Sequence, residues 1–110
     1  MPNVAPQFES KDIQGSTEQF SASVGTSSTA FPTVAGNRIE EVMIIAGDIG
    51  ADQIFFSVDN TNWMPINSHG HLAWSLKYSV GGSAIKQIYL KGSDASLPVY
   101  GLINYSPADS

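Results

Sequence analysis

An all-β fold, a single-domain antiparallel β-sandwich or jelly-roll-like barrel, is what this 110-residue sequence predicts. Three observations carry that expectation. Short apolar runs alternate with polar residues at the two-residue period of a strand. Clusters of Gly, Asp, Asn and Ser punctuate those runs at short intervals. Helix is hard to place: "NRIEEVMIIAG" has an Asn cap and early acids, but its β-branched density favours a strand. The length fits one domain, burying about two-thirds of the surface of its unfolded chain.

Residues 1–37 are rich in Ser and Thr and low in bulky side chains. They read either as weak strands, from "QFESKDI", "TEQFSAS" and "STAFPTV", or as an arm that gains order against a neighbouring subunit. Residues 38–105 form the sandwich core, and 106–110 a tail. "RIEEVMIIAG" is the first dense strand and ends at Gly47. "QIFFSVD" sets Ile54, Phe56 and Val58 against Gln53, Phe55 and Ser57. Asp59-Asn60-Thr61-Asn62 gathers turn-forming side chains, so the chain reverses there and pairs with "WMPI" as a hairpin. Trp63, beside the turn, is expected to cap one end of the core.

"HLAWSLKY" places Leu72, Trp74, Leu76 and Tyr78 on one face. Leu72, Trp74 and Leu76 are expected to line the core, with Ala73, Ser75 and Lys77 outward, so that Trp74→Ala costs about 3–5 kcal/mol. "IKQIYLKG" opposes Ile88 and Leu90 to Gln87, Tyr89 and Lys91. "LPVYGLINY", like "EEVMIIAG", is apolar on both faces. That pattern fits strands covered on one side by the core and on the other by a neighbouring subunit. Few charges block the sheet edges, so a partner is expected to cover them.

Charged residues make up 14% of the chain, about half the share in a typical soluble domain, with a net charge of −5. Five Lys and Arg form no basic stripe, so no direct nucleic-acid partner is expected. No run approaches the roughly 18 apolar residues of a spanning helix, and no membrane partner is expected. "MPNVAPQFESKD" lacks the basic and apolar regions of a conventional signal peptide. With no cysteine, disulfides, thiolate nucleophiles and Cys-ligated zinc are excluded.

Residues able to carry chemistry are few. His69 and His71, two apart, would share one side of a strand and could bind a metal together, but no third ligand is evident. Asp48, Asp52 and Asp59 read as solvated loop residues, and "DNTN" lacks the spacing and distal Glu of a calcium loop. Glu40 and Glu41, as strand neighbours, point to opposite faces and cannot act as a pair. Serines abound, but no "GxSxG" elbow is present. Asn104-Tyr105-Ser106 matches a glycosylation sequon, which carries no meaning without a secretory signal. No catalytic residue, cofactor or metal site is expected, and the protein reads as a non-enzyme.

"FFSVDNTNWMPINSHGHLAWSLK" followed by "IKQIYLKGSDASLPVYGLINY" resembles small β-sandwich virion proteins of tailed bacteriophages. Asp59, Asn60, Thr61, Asn62 and Trp63 match their turn, Gly70 their Gly turn, and residues 85–92 their last hairpin, over about residues 38–105. The resemblance implies a capsid decoration (cement) protein or a tail or fibre accessory. Such a protein would be made in the host cytoplasm and located on the virion, bound to the major capsid protein or another virion protein as a dimer or trimer. The alternative is a carbohydrate-binding or host-adhesion module stacking sugars on Trp63, Trp74, Tyr78, Tyr89, Tyr100 or Tyr105.

Overall fold

The computed structural model describes residues 16–33, 36–76 and 84–106. They form eight strands: β1 (Ser16–Val24), β2 (Thr29–Phe31), β3 (Arg38–Ala46), β4 (Ile54–Ser57), β5 (Met64–Ile66), β6 (His71–Ser75), β7 (Ile88–Gly92) and β8 (Leu97–Ser106). The strand expected in "QFESKDI", the orientations expected of Lys77 and Tyr78, and the tail beyond Ser106 lie outside the described residues. Of the Ser/Thr-rich segment, residues 16–24 and 29–31 are strands of the same two sheets.

Strand β1 pairs with β8, β2 with β7, β3 with β6 and β4 with β5, all antiparallel. The chain is therefore one long hairpin whose two legs, four strands each, roll up together. The tip of the roll is the turn at Asp59–Asn62. Further pairs, β3 with β8 and β4 with β7, complete the sheets β1-β8-β3-β6 and β2-β7-β4-β5. This is the jelly-roll form of the β-sandwich.

The core follows from alternation. Val42, Ile44 and Ala46 of β3 and Leu97, Val99, Ile103 and Tyr105 of β8 point inward, against Ile54, Phe56, Ile88 and Leu90 of the second sheet, and all are buried. A bulge lies between Ile39 and Glu41, where the register to β8 shifts by one residue. It lets Ile39 and Val42, three apart, both face the core. At one side of the sandwich, Phe20 of β1 rests its ring on the backbone of Gly101, its cross-strand partner, and stacks on Phe31 of β2 with centroids 4.7 Å apart. A side chain at Gly101 would occupy the space of that ring.

The opposite side, where β5 and β6 are the edges, is less closed. Leu72 lies opposite Ile44 and Trp74 opposite Val42, so both point inward, and Leu76 is buried. Trp74 nevertheless stays 52% exposed, which corrects the expectation that it lines the core. Its direction follows the strand period, but among the described residues β6 is an edge strand and no further strand covers the ring, which meets Phe56 edge-on at 6.0 Å. Trp63 does not cap the core either. It is half-buried and outside the buried cluster, with the Lys91 ammonium 4.2 Å from its ring centroid. Lys91 alternates with the inward Leu90, so Trp63 belongs to the solvent side of the second sheet.

Candidate association surface

Residues directly opposite across an antiparallel pair share a face, so the register reads out the solvent side of the first sheet as three rows. They are Ser21–Tyr100–Ile45–His71, Gln19–Leu102–Met43–Ala73 and Thr17–Asn104–Glu41–Ser75. The last row is polar and internally bonded. Thr17 Oγ1 donates to Asn104 Oδ1 at 2.8 Å, and Asn104 Nδ2 donates to Glu41 Oε1 at 3.1 Å. The sequon asparagine is thus part of a mid-sheet hydrogen-bond row.

The other two rows place four large apolar side chains in a square at the centre of the sheet. Met43 is 40% exposed, Ile45 41%, Leu102 43% and Tyr100 47%. Solvent faces of antiparallel sheets ordinarily carry polar residues, and a contiguous exposed apolar patch marks an interaction site. The square is not flat. Met43 and Leu102 stand between two shallow depressions of about 340 and 310 Å³, one toward Trp74 and Ser75, the other toward Gln19 and Tyr100. Burying the exposed part of the four, roughly 300 Å², would contribute on the order of 8 kcal/mol before the entropy of association is subtracted.

The residues singled out from sequence for chemistry go to separate places. Gly70 N–H donates to Asn67 O at 2.8 Å, closing a reverse turn in which His69 has φ 59°. His69 therefore lies off the strand, and the two-residue strand spacing does not relate it to His71, which begins β6 opposite Ile45. Its Nε2 is 3.8 Å from Asp48 Oδ1. Asp52 accepts from Ser93 Oγ at 3.1 Å. Among the described residues no three His, Asp or Glu side chains gather.

Glu40 and Glu41 do not point to opposite faces as strand neighbours should. Glu40 Oε2 accepts from Ser106 Oγ at 2.7 Å and Glu41 Oε1 from Asn104. Both partners are solvent-side residues of β8. The bulge is the cause, since it adds one residue and turns the two carboxylates to the same side.

Asp59 organises the tip of the roll. Its Oδ1 accepts from the backbone N–H groups of Thr61 and Asn62 at 2.9 and 2.8 Å, and its Oδ2 accepts from Asn62 Nδ2 at 2.7 Å. These donors, the Asn62 backbone first, hold the carboxyl far below the ordinary carboxylate range. Ser57, a buried polar side chain, completes the turn: its Oγ donates to Asp59 Oδ1 and accepts from the N–H groups of Asp59 and Asn60. Sequence reasoning missed this role, although Ser two residues before Asp at a turn is its signal. At the far end of the core, burial pushes the Tyr105 hydroxyl well above the usual phenol value, and the Glu18 carboxylate that accepts from it at 3.0 Å adds to the shift.

A further depression, of about 300 Å³, opens on the β5/β6 side and is lined by Phe56, Trp63, Met64 and Trp74, with Asp59 and Asn62 at its rim.

No family model matches this chain, and no curated protein matches it. Among solved structures it is similar to a protein of Bacillus endospore appendages, described as forming a novel family of disulfide-linked pili. That likeness has a TM-score of 0.55 and 10% sequence identity, and covers 86% of this chain and 88% of the other. At that identity it concerns the fold, a two-sheet all-β sandwich without helix among the described residues.

Proposed function

We propose that this protein is a non-enzymatic structural subunit whose work is to associate, with copies of itself and with the larger assembly to which it belongs. The observation that carries this reading is the apolar square of Met43, Ile45, Tyr100 and Leu102 on the solvent side of the first sheet. The fold likeness to a pilus protein is in keeping with assembly. The disulfide linkage in that description cannot extend to a chain without cysteine, so any association here proceeds without disulfides. The finer assignment rests on the sequence resemblance over residues 38–105: a tailed-phage virion protein, decorating the shell by docking the square on the major capsid protein.

The test compares the full chain with the Met43→Asp/Leu102→Asp variant by sedimentation velocity over a range of concentrations and by retention on purified phage shells. Concentration-dependent growth or shell retention, lost in a variant whose circular dichroism is unchanged, is expected. A wild-type chain that stays monomeric at its highest soluble concentration and ignores shells would reject the proposal. A glycan-binding reading has one observation in its favour, the depression between Trp63 and Trp74. Lys91, however, already covers one face of the Trp63 ring. Glycan-array binding lost on Trp74→Ala would favour that reading.

A further inference from the structure

The roughly 300 Å² of the apolar square falls short of the ~800 Å² per partner of a standard interface, so an assembling subunit needs further contacts. We propose that the free edge of β6 pairs antiparallel with the free edge of β1 in a second copy of this chain, extending the first sheet from subunit to subunit. The proposal rests on the association reading above and names its joint.

Strand direction permits it. Every pairing in the sheet β1-β8-β3-β6 is antiparallel, so its two edge strands run in opposite directions. Two copies in the same orientation, set side by side, therefore bring β6 and β1 together antiparallel. Each such join leaves one β1 and one β6 free at the ends, so the contact is heterologous and builds a row or a ring rather than a closed pair.

The edges differ in how they are protected. In the second sheet the edge strands β2 and β5 have three residues each, with Pro32 just after β2 and Pro65 within β5. Short edges and prolines are the ordinary means of preventing further pairing. In the first sheet β1 runs for nine residues without Pro or Lys, and β6 for five without Pro, Lys, Arg, Asp or Glu. The one acid of β1, Glu18, is engaged by the Tyr105 hydroxyl. Among the described residues nothing pairs with β1 on the side away from β8, or with β6 on the side away from β3.

A second observation points to the same occupant. Trp74 faces inward in the row of the fully buried Val42 but stays half-exposed, and Met64, in the row of Phe56 on β5, is 55% exposed. Both are the rims of an unfinished core. The β1/β2 side, in contrast, ends in the Phe20–Phe31 stack. Joining β6 to β1 of the next copy carries that aromatic wall against Trp74 and Met64, pairing one apolar rim with another.

The test uses full-length chains. Gln19→Lys/Ser21→Lys blocks the β1 edge and Ala73→Lys/Ser75→Lys the β6 edge, all at solvent-side positions, with circular dichroism and melting as the check on folding and single substitutions Ser21→Lys and Ser75→Lys as milder versions. The expected result is that wild type grows with concentration in sedimentation, each blocked variant alone stays monomeric, and an equimolar mixture of the two forms a one-to-one pair and nothing larger. In a Trp63→Phe background the emission of Trp74 shifts to shorter wavelength on assembly, and this shift is absent from the blocked variants. Blocked variants that assemble like wild type, while Met43→Asp/Leu102→Asp does not, would overturn the edge joint and leave the association reading standing. A wild type that never assembles, including one whose own residues 1–15 prove by deletion to cover β1, would overturn the proposal.

Discussion

The two sheets of this sandwich share one core, and both are four-stranded and antiparallel, but they differ in strand length, edges and outer face. The first has strands of nine, ten, nine and five residues, an apolar square on its solvent side and, among the described residues, edges without proline. The second has strands of three, five, four and three, with prolines at its edges and Lys91 lying over Trp63 on its outer side. The difference teaches that exposure has to be judged by neighbourhood. An apolar side chain exposed singly is ordinary on any surface, whereas Met43, Ile45, Tyr100 and Leu102 are neighbours in two adjacent rows. Among the described residues the second sheet has short, proline-flanked edges, and the first leaves a contiguous apolar patch exposed.

If both sheets contribute equally to the core, truncation should be severe on the second sheet as well as the first. Phe56→Ala, at 1% exposure, should lose about 3–5 kcal/mol in chemical denaturation. A loss below about 1 kcal/mol would mean that the second sheet is only a loose cover. Gly101→Val tests the closed side of the sandwich by pressing a side chain into the Phe20 ring, and should lose about 1–3 kcal/mol, with the Phe20–Phe31 contact disturbed in nuclear Overhauser spectra.

Ser57→Ala removes the acceptor for two turn N–H groups and should lose about 1–3 kcal/mol in the same assay. Trp74→Ala sharpens the contrast between the open and closed sides. In the monomer its loss should be about 1.5–2.5 kcal/mol, half the cost for a buried aromatic, because half the side chain is already in water. A loss of the full buried magnitude would show that side to be closed in solution.

The smallest expected effect is that of Asp59. Its folded pKa lies below its unfolded value, so between the two the unfolded chain binds the extra proton and stability rises with pH. The contribution is complete above the ordinary carboxylate range and is lost as pH falls through that range toward the folded value. Acid titration of the melting temperature should show this loss in wild type and less of it in Asp59→Asn. Identical acid profiles would remove the turn's electrostatic role.

Much of the strand layout was legible because it depends on local pattern. Alternation in "QIFFSVD" and the turn chemistry of "DNTN" located β4, the tip of the roll and β5. The exposed apolar patch was legible in part, since "EEVMIIAG" and "PVYGLINY" are apolar on both faces, which no strand with one solvated side requires. Trp74 was misread because periodicity gives the direction of a side chain but not whether anything lies beyond it. Glu40 and Glu41 were misread because a bulge shifts the period by one residue, and no local signal marked it.

By itself, then, the sequence determined an all-β chain, its principal strands and the turn at its tip, since propensity, period and turn residues act over a few positions. The tertiary structure alone decided that β1 pairs with β8 and β3 with β6. It also set Met43 and Ile45 beside Leu102 and Tyr100, and made β1 and β6 the edges of their sheet among the described residues. Those outcomes follow from pairings between residues more than 25 positions apart. Such pairings are selected by the best joint burial of the whole roll, which no local stretch of the chain encodes.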